Sequence, residues 1–291
     1  MPRLLLIPAI ISASFVILII MFVIQKGASP FLFSSYGDQK VSFIRFMMGQ
    51  TWFIPPNEYG ILYIVINTVY VVSLAAIISS PIAIFSGLFI AKIVPKIFKN
   101  LFQTVVELLA AIPSIIYGVF GLGVITKFVV RIASLGGIQT AGGISGMATV
   151  LVLAVMIYPT ITLMSVTAIN TVDHDLGKAS LALGATKIQT LFKVTLASAK
   201  PGIITGIVLG LGRALGEATA VSMVAGNAGS GPVFDLFKTT RTLTSTMLLG
   251  IKETSGLDYD IRFSVGVVLI FIIIAFNILL GHFKKKAGRF A

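Results

Sequence analysis

Arg213 and Glu217 stand four residues apart in an otherwise apolar stretch, Pro201–Ala225. In a helix that spacing puts both side chains on one face, within pairing reach. Inside a bilayer each charge costs at least about 2.5–3.5 kcal/mol, so it persists mainly where it is paired or functional. Two readings stay open. The two residues form an internal ion pair that ties helices together, or Arg213 is a fixed cation for an anion, oriented or gated by Glu217. Arginine suits the second role because its planar fork binds phosphate-like oxygens in bidentate fashion. Glu107 is a lone acid in another apolar stretch, five residues before Ile112-Pro113-Ser114. A kink at Pro113 would free backbone carbonyls for Ser114 or water to satisfy. A structural role and a place on a path both fit Glu107.

No catalytic set accompanies these residues. The one Gly-Lys pair, Gly177-Lys178, is followed by Ala179 and lacks the upstream glycine of a P-loop. No HExxH surrounds His174 or His282, and there is no G-x-S-x-G. With no cysteine and two isolated histidines, the chain offers no transition-metal site and no cofactor site. His174, between Asp173 and Asp175, reads as part of a solvated capping cluster. The chain is expected not to be an enzyme.

The elements that carry Arg213, Glu217 and Glu107 are overwhelmingly apolar. Of 291 residues 56% are hydrophobic and 11% charged, and mean hydropathy is +1.02. Soluble domains carry about a quarter charged residues, so composition excludes a soluble enzyme and a disordered tail. The absence of cysteine excludes a disulfide scaffold. Six stretches are long enough to cross a bilayer as helices: Leu4–Ile24, Gly60–Ala91, Leu101–Ile125, Gly146–Ile169, Pro201–Ala225 and Phe263–Gly281. They are continuous runs, unlike the short alternating segments of a barrel. Leu4–Ile24 is longer than a signal-peptide core and no A-x-A site follows, so it reads as a retained first helix.

The net charge of +12 reflects membrane orientation and anionic lipid; nucleic acid is not expected as a partner. Six spans put both termini on one side. The Lys284–Lys286 run and the short connection with Lys92, Lys96 and Lys99 place that side in the cytoplasm. The long connections Gln25–Tyr59 and Gly226–Arg262 then lie outside; the first holds Trp52, Pro55 and Pro56. Thr171–Lys200 lies inside and reads as short helices. Asp173 is the N-cap, Leu176, Ala179 and Leu183 recur at helical spacing, Gly184 breaks the run, and Pro201 opens the fifth span. A structured cytoplasmic connection is expected of a protein that docks something there. Gly202, Gly206 and Gly210, and separately Gly212 and Gly216, have the small-xxx-small spacing of closely packed helices.

Leu181-Ala182-Leu183-Gly184-Ala185-Thr186, ten residues before Val194 and Leu196, resembles the "EAA" loop of ABC-importer permeases. Further stretches resemble one branch, the phosphate-importer permeases of the PstC type. They are Trp52 with Pro55-Pro56-Asn57-Glu58-Tyr59-Gly60-Ile61, Glu107-Leu108-Leu109-Ala110-Ala111-Ile112-Pro113-Ser114 with Tyr117-Gly118, and Gly212-Arg213-Ala214-Leu215-Gly216-Glu217. Ala220-Val221-Ser222-Met223-Val224-Ala225-Gly226-Asn227 is closer to PstC than to its partner PstA, and Thr242-Leu243-Thr244-Ser245 also fits.

The resemblance implies an all-α integral membrane protein with the type I ABC-importer permease fold. Residues 1–59 would be the first helix and an extracytoplasmic loop, 60–282 the transmembrane core with its coupling loop 171–200, and 283–291 a basic tail. It implies a heterodimer with a PstA-like permease, two ATP-binding subunits inside and a phosphate-binding protein outside. Arg213, Glu217, Glu107 and Ser114 would lie on the path for inorganic phosphate. Lys178, Ala179, Leu183, Gly184 and Ala185 would couple to an ATPase subunit. Three positions depart from the family pattern. Its loop glutamate is Lys178 here, its second small alanine is Ser180, and the proline of its closing Leu-Pro is Ala197. The rival readings are a permease for another oxyanion, such as molybdate, sulfate or phosphonate, and a stand-alone channel or secondary transporter.

Overall fold

A computed structural model describes residues 2–32, 41–54 and 57–288. Lys40, Pro55, Pro56 and Arg289 lie outside the described residues, as do the side chains of Arg3 and Lys284–Lys286. Helix α1 (Pro2–Leu32) leads to a short α2 (Phe43–Met48) and an antiparallel strand pair, β1 (Trp52–Phe53) against β2 (Glu58–Tyr59). Next come α3 (Leu62–Leu88), extended by a π-helical turn to Ile93, and α4 (Lys96–Ala111). Then α5 (Ser114–Phe120) runs through a second π-helical turn into α6 (Thr126–Leu135), followed by α7 (Gly146–Asn170) and α8 (His174–Ala182). A one-turn α9 (Lys187–Gln189) continues through a third π-helical turn into α10 (Leu196–Gly216). The chain closes with α11 (Thr219–Val224), α12 (Leu243–Leu248) and α13 (Leu257–Gly288).

Among the described residues six helical stretches are long and apolar enough to cross a membrane: Leu6–Leu32, Leu62–Ile93, Ser114–Leu135, Gly146–Asn170, Lys187–Gly216 and Leu257–His282. Two of them depart from the expected spans in ways that matter. The expected span Leu101–Ile125 breaks at Ile112-Pro113. Proline has no N–H and drives the residue before it out of the helical region; Ile112 has ψ 127° and Pro113 ψ 141°. Glu107 therefore sits on a separate helix, α4, which packs along α7, and the span begins at Ser114. The carbonyl of Leu109, freed by the break, accepts the Tyr117 hydroxyl at 2.6 Å, so Tyr117 fills the role expected of Ser114.

The fifth span starts earlier than Pro201 and stops before Ala225. Gly184 ends the preceding helix with φ +87°, a conformation open to glycine. Thr186 and Gln189 then form a reciprocal capping box that launches α9. Pro201 thus lies inside α10 rather than at its first turn. At the far end Glu217 leaves the helix with ψ 113° and the chain restarts at Thr219. The expected outer connection Gly226–Arg262 is likewise shorter, because α13 begins at Leu257 and takes in Arg262.

Helix α7 is the centre of the packing, buried against α3 on one side and α10 on the other. A methyl on Gly202, Gly206 or Gly210 would meet Ala168 Cβ at 2.5 Å, Met164 Cβ at 2.7 Å or Ile161 Cγ1 at 2.9 Å. These three glycines therefore set the approach of α10 to α7. A methyl on Gly212 or Gly216 would meet nothing within 4 Å among the described residues, so the second glycine set does not pack against the described helices. Helix α1 docks on α13 through Gly27, whose carbonyl accepts the Ser264 hydroxyl at 2.7 Å, and through the Lys26–Asp260 ion pair at 3.4 Å.

Candidate functional site: two helix breaks beside a half-buried cation

The helices that follow the two breaks, at Ile112-Pro113 and at Glu217, pack together. Helix α5 packs on α11 so closely that a methyl on Gly118 would lie 3.0 Å from Ala220 Cα. Non-helical backbone at membrane depth is tolerated where it is buried in protein or lines a cavity. Arg213, in the last turn of α10, reaches this junction. Its Nη1 donates to Thr160 Oγ1 of α7 at 3.2 Å, and it lies within electrostatic reach of Tyr117. Thr160 is about 21 Å from Gly146 and about 15 Å from Asn170 at 1.5 Å per residue. The guanidinium is therefore held near mid-height of the central helix. Among the described residues no carboxylate lies within ion-pair distance of it.

Glu217 is not its partner. The i,i+4 face expected from the sequence is lost where the helix ends at Gly216. The Glu217 carboxylate instead accepts the Ala220 N–H at 2.9 Å, and its backbone carbonyl accepts the Thr244 hydroxyl at 2.7 Å. It holds the start of α11 and ties the break to α12. Glu107 is exposed on α4, its carboxylate accepting from Gln103 Nε2 at 2.9 Å. Ser114 opens α5, half-buried. The structure thus gathers Arg213 with Tyr117 and Thr160, two residues the sequence reading did not place at the site. Thr160, next to Pro159 in an apolar run, was the legible signal.

At the opposite end of the helices α8 stands out from the bundle. Asp173 caps it by accepting the Asp175 N–H at 2.9 Å. Lys178, the charge-reversed position, pairs with Asp175 on its own helix at 2.7 Å. Ser180 and Thr190 hydroxyls meet at 2.9 Å and fix α8 against the start of the fifth span. Ala179 and Gly184 are exposed, Ala185 is half-buried, and Leu183 is 90% exposed, an apolar side chain left bare on a solvated turn.

Two further arginines, both within the expected outer connection Gly226–Arg262, are buried. Arg241 is 9% and Arg262 3% exposed. Arg262 Nη1 donates to the Thr246 carbonyl at 2.7 Å and also to the Leu249 carbonyl, at the end of α12. Burial lowers the Arg241 pKa from the ordinary arginine value, with the neighbouring Tyr63 hydroxyl opposing. Nearby, the Tyr59 phenol donates to Asp258, and burial and this carboxylate raise its pKa well above the ordinary tyrosine value.

Residues 79–286 match the family described as binding-protein-dependent transport system inner membrane component. The probable ABC transporter permease protein YqgH of Bacillus subtilis (strain 168) is 35% identical, over 96% of this chain and 88% of its own. The phosphate transport system permease protein PstC of Pasteurella multocida (strain Pm70) is 30% identical, over 89% of this chain and 86% of its own. The fold is similar to that in the crystal structure of a bacterial alginate ABC transporter, with a TM-score of 0.64 at 17% identity over 98% of this chain and 93% of that one. The chain has the type I ABC-importer permease fold and belongs to the binding-protein-dependent transport system inner membrane component family.

Proposed function

We propose that this chain is the PstC-type permease subunit of an ATP-driven importer of inorganic phosphate, located in the cytoplasmic membrane with both termini inside. The observation that carries the reading is Arg213, a cation near mid-height of α7 that meets one neutral hydroxyl, Thr160, at 3.2 Å. Such a charge is expensive unless something anionic meets it. Glu217 and Ser114 hold the two breaks around it, and Glu107 flanks the path. The site binds weakly by design, since a path that binds tightly cannot release.

The chain supplies no ATPase site of its own. Helix α8 seats in an ATP-binding subunit through Lys178, Ala179, Leu183, Gly184 and Ala185. ATP binding draws this helix towards its counterpart on a PstA-like permease and opens the path outward. An extracytoplasmic binding protein releases phosphate into it, and hydrolysis resets the path inward. The test is phosphate uptake into proteoliposomes holding this chain with its partner permease, ATPase and binding protein. Uptake that needs ATP and the binding protein is expected. Uptake without ATP would replace the importer with a channel or secondary transporter, and ATP-driven uptake of sulfate or molybdate alone would replace the substrate.

A further inference from the structure

At the end of the molecule where α13 begins, Trp52, Phe53, Arg241, Thr246, Leu249 and Arg262 help to line a cavity of about 320 Å³. The strand pair, α12 and the first turns of α13 build its walls. The two arginines lie within electrostatic reach of each other, a like-charge arrangement that is unfavourable in a low-dielectric setting. Nε and Nη1 of Arg241 and Nε of Arg262 are sealed from solvent with no acceptor among the described residues. A buried donor left unpaired is costly, and more so when charged. Asp258 and Glu253 offset part of the Arg262 charge but supply no acceptor to these nitrogens. Asp258 is engaged by the Tyr59 hydroxyl. Glu253 and Arg262 both border Gly250, where a methyl would meet Glu253 Oε2 at 3.7 Å and Arg262 Nη2 at 3.2 Å, yet they form no ion pair.

We propose that this cavity is a second oxyanion site, distinct from Arg213, in which Arg241 and Arg262 receive inorganic phosphate as it enters the path. Its volume holds a tetrahedral oxyanion with several waters, at about 30 Å³ per water. Arg262 is half committed, since its Nη1 holds the carbonyl end of α12, and Arg241 interacts with the Tyr63 hydroxyl; the unpaired donors of both must turn into the cavity to meet the anion. The wall is mechanically continuous with the inner site, because Thr244 on the same helix bonds the Glu217 carbonyl. The identity of the anion rests on the phosphate-importer reading, whereas the existence of the site does not.

Trp52 is the chain's one tryptophan and lies in the cavity wall, so its emission reports occupancy. The full chain in lipid nanodiscs is titrated with inorganic phosphate while Trp52 fluorescence and bound radiolabelled phosphate are followed. A saturable response is expected that survives Arg213→Gln. Arg241→Gln should weaken it at least about tenfold, the loss of one charge-assisted hydrogen bond, with partial rescue by Arg241→Lys. In unmutated protein, phosphate should also raise the thermal midpoint by mass action, so the outcome does not hinge on the Arg241 variants folding. No saturable response, no such rise, or an unchanged response in folded Arg241→Gln would overturn the proposal. So would a response that saturates with free glutamate at lower concentration than with phosphate, which would assign the cavity to an acidic side chain of a docked protein. A response to sulfate or molybdate but not phosphate would keep the site and remove the phosphate reading.

Discussion

Replacing Arg213 by glutamine separates a transport cation from a structural one. Among the described residues the guanidinium makes one hydrogen bond, to a neutral hydroxyl at 3.2 Å. A bond to a charged group contributes about 1.5–3 kcal/mol, while holding the charge at membrane depth costs about 2.5–3.5 kcal/mol. The two nearly cancel, so Arg213→Gln should change the stability of the isolated chain by about 1 kcal/mol or less. For the anion the balance differs. A bidentate contact of two charge-assisted bonds, at about 1.5–3 kcal/mol each, is lost with nothing gained. Uptake should fall by about two orders of magnitude or more, with Arg213→Lys between the two because a point charge lacks the fork. The assay is initial-rate phosphate uptake in proteoliposomes, alongside size-exclusion chromatography and a thermal midpoint of the same preparation. Wild-type uptake by an intact Arg213→Gln complex would refute the reasoning. A complex that falls apart would assign Arg213 to assembly instead.

Gly206→Val should destabilise the chain by about 1–3 kcal/mol and lower its thermal midpoint, because even a methyl would meet Met164 Cβ at 2.7 Å. Gly212→Val, with nothing within 4 Å, should leave the isolated chain unchanged; equal shifts would contradict the packing described. The raised pKa of Tyr59 predicts a pH effect of definite sign. Below about pH 10, the ordinary tyrosine pKa, both folded and unfolded chains keep the phenol neutral and its contribution is intact. Above it the unfolded chain ionises first, so stability falls as pH rises. Unfolding free energies between about pH 9 and 11 should show that slope flattened in Tyr59→Phe, and an identical slope would count against the buried phenol. Lys178→Glu breaks an exposed pair worth about 0.5 kcal/mol, so the fold should hold. Phosphate-stimulated ATP hydrolysis by the assembled complex should drop, and an unchanged rate would remove Lys178 from the coupling surface.

The spans, the short helix α8 and its caps were legible because each rests on local chemistry. Asp173 and Gly184 act where their types and neighbours predict, and 3.6-residue periodicity survives in α8. The two breaks were not fully legible. Apolar composition says that a stretch prefers the membrane and nothing about whether its helix is continuous, so Ala218–Ala225 concealed the stop at Gly216. Pro113 announced a kink, but a kink and a complete restart carry the same proline; the hydroxyl of Tyr117, eight residues beyond Leu109, closes the break. Arg241 and Arg262 escaped notice for another reason. Their burial comes from the Trp52–Tyr59 strand pair folding over α12, nearly 200 residues away in sequence, and charge in a Gly/Ser/Thr-rich connection otherwise reads as solvated.

The face that α10 leaves open bears on how the path is completed. Leu209 is 49% exposed, and Gly212 and Gly216 meet nothing within 4 Å among the described residues. Spaced three and four apart, these positions form one stripe beside Arg213. Lipid is a poor neighbour for that stripe, since acyl chains would sit against a cation, and two bare glycines offer them little contact. A second protein surface suits it well, because small residues let another backbone approach closely and that surface can line the far side of a cavity. Glu107 makes the same point from α4: it is exposed beside Val106, which packs in a cluster with Val166 near the end of α7. Among the described residues its hydrogen-bond partner is Gln103, on its own helix. Both polar groups thus face outward from one permease, which is the arrangement expected when a translocation path forms between two such subunits rather than inside one.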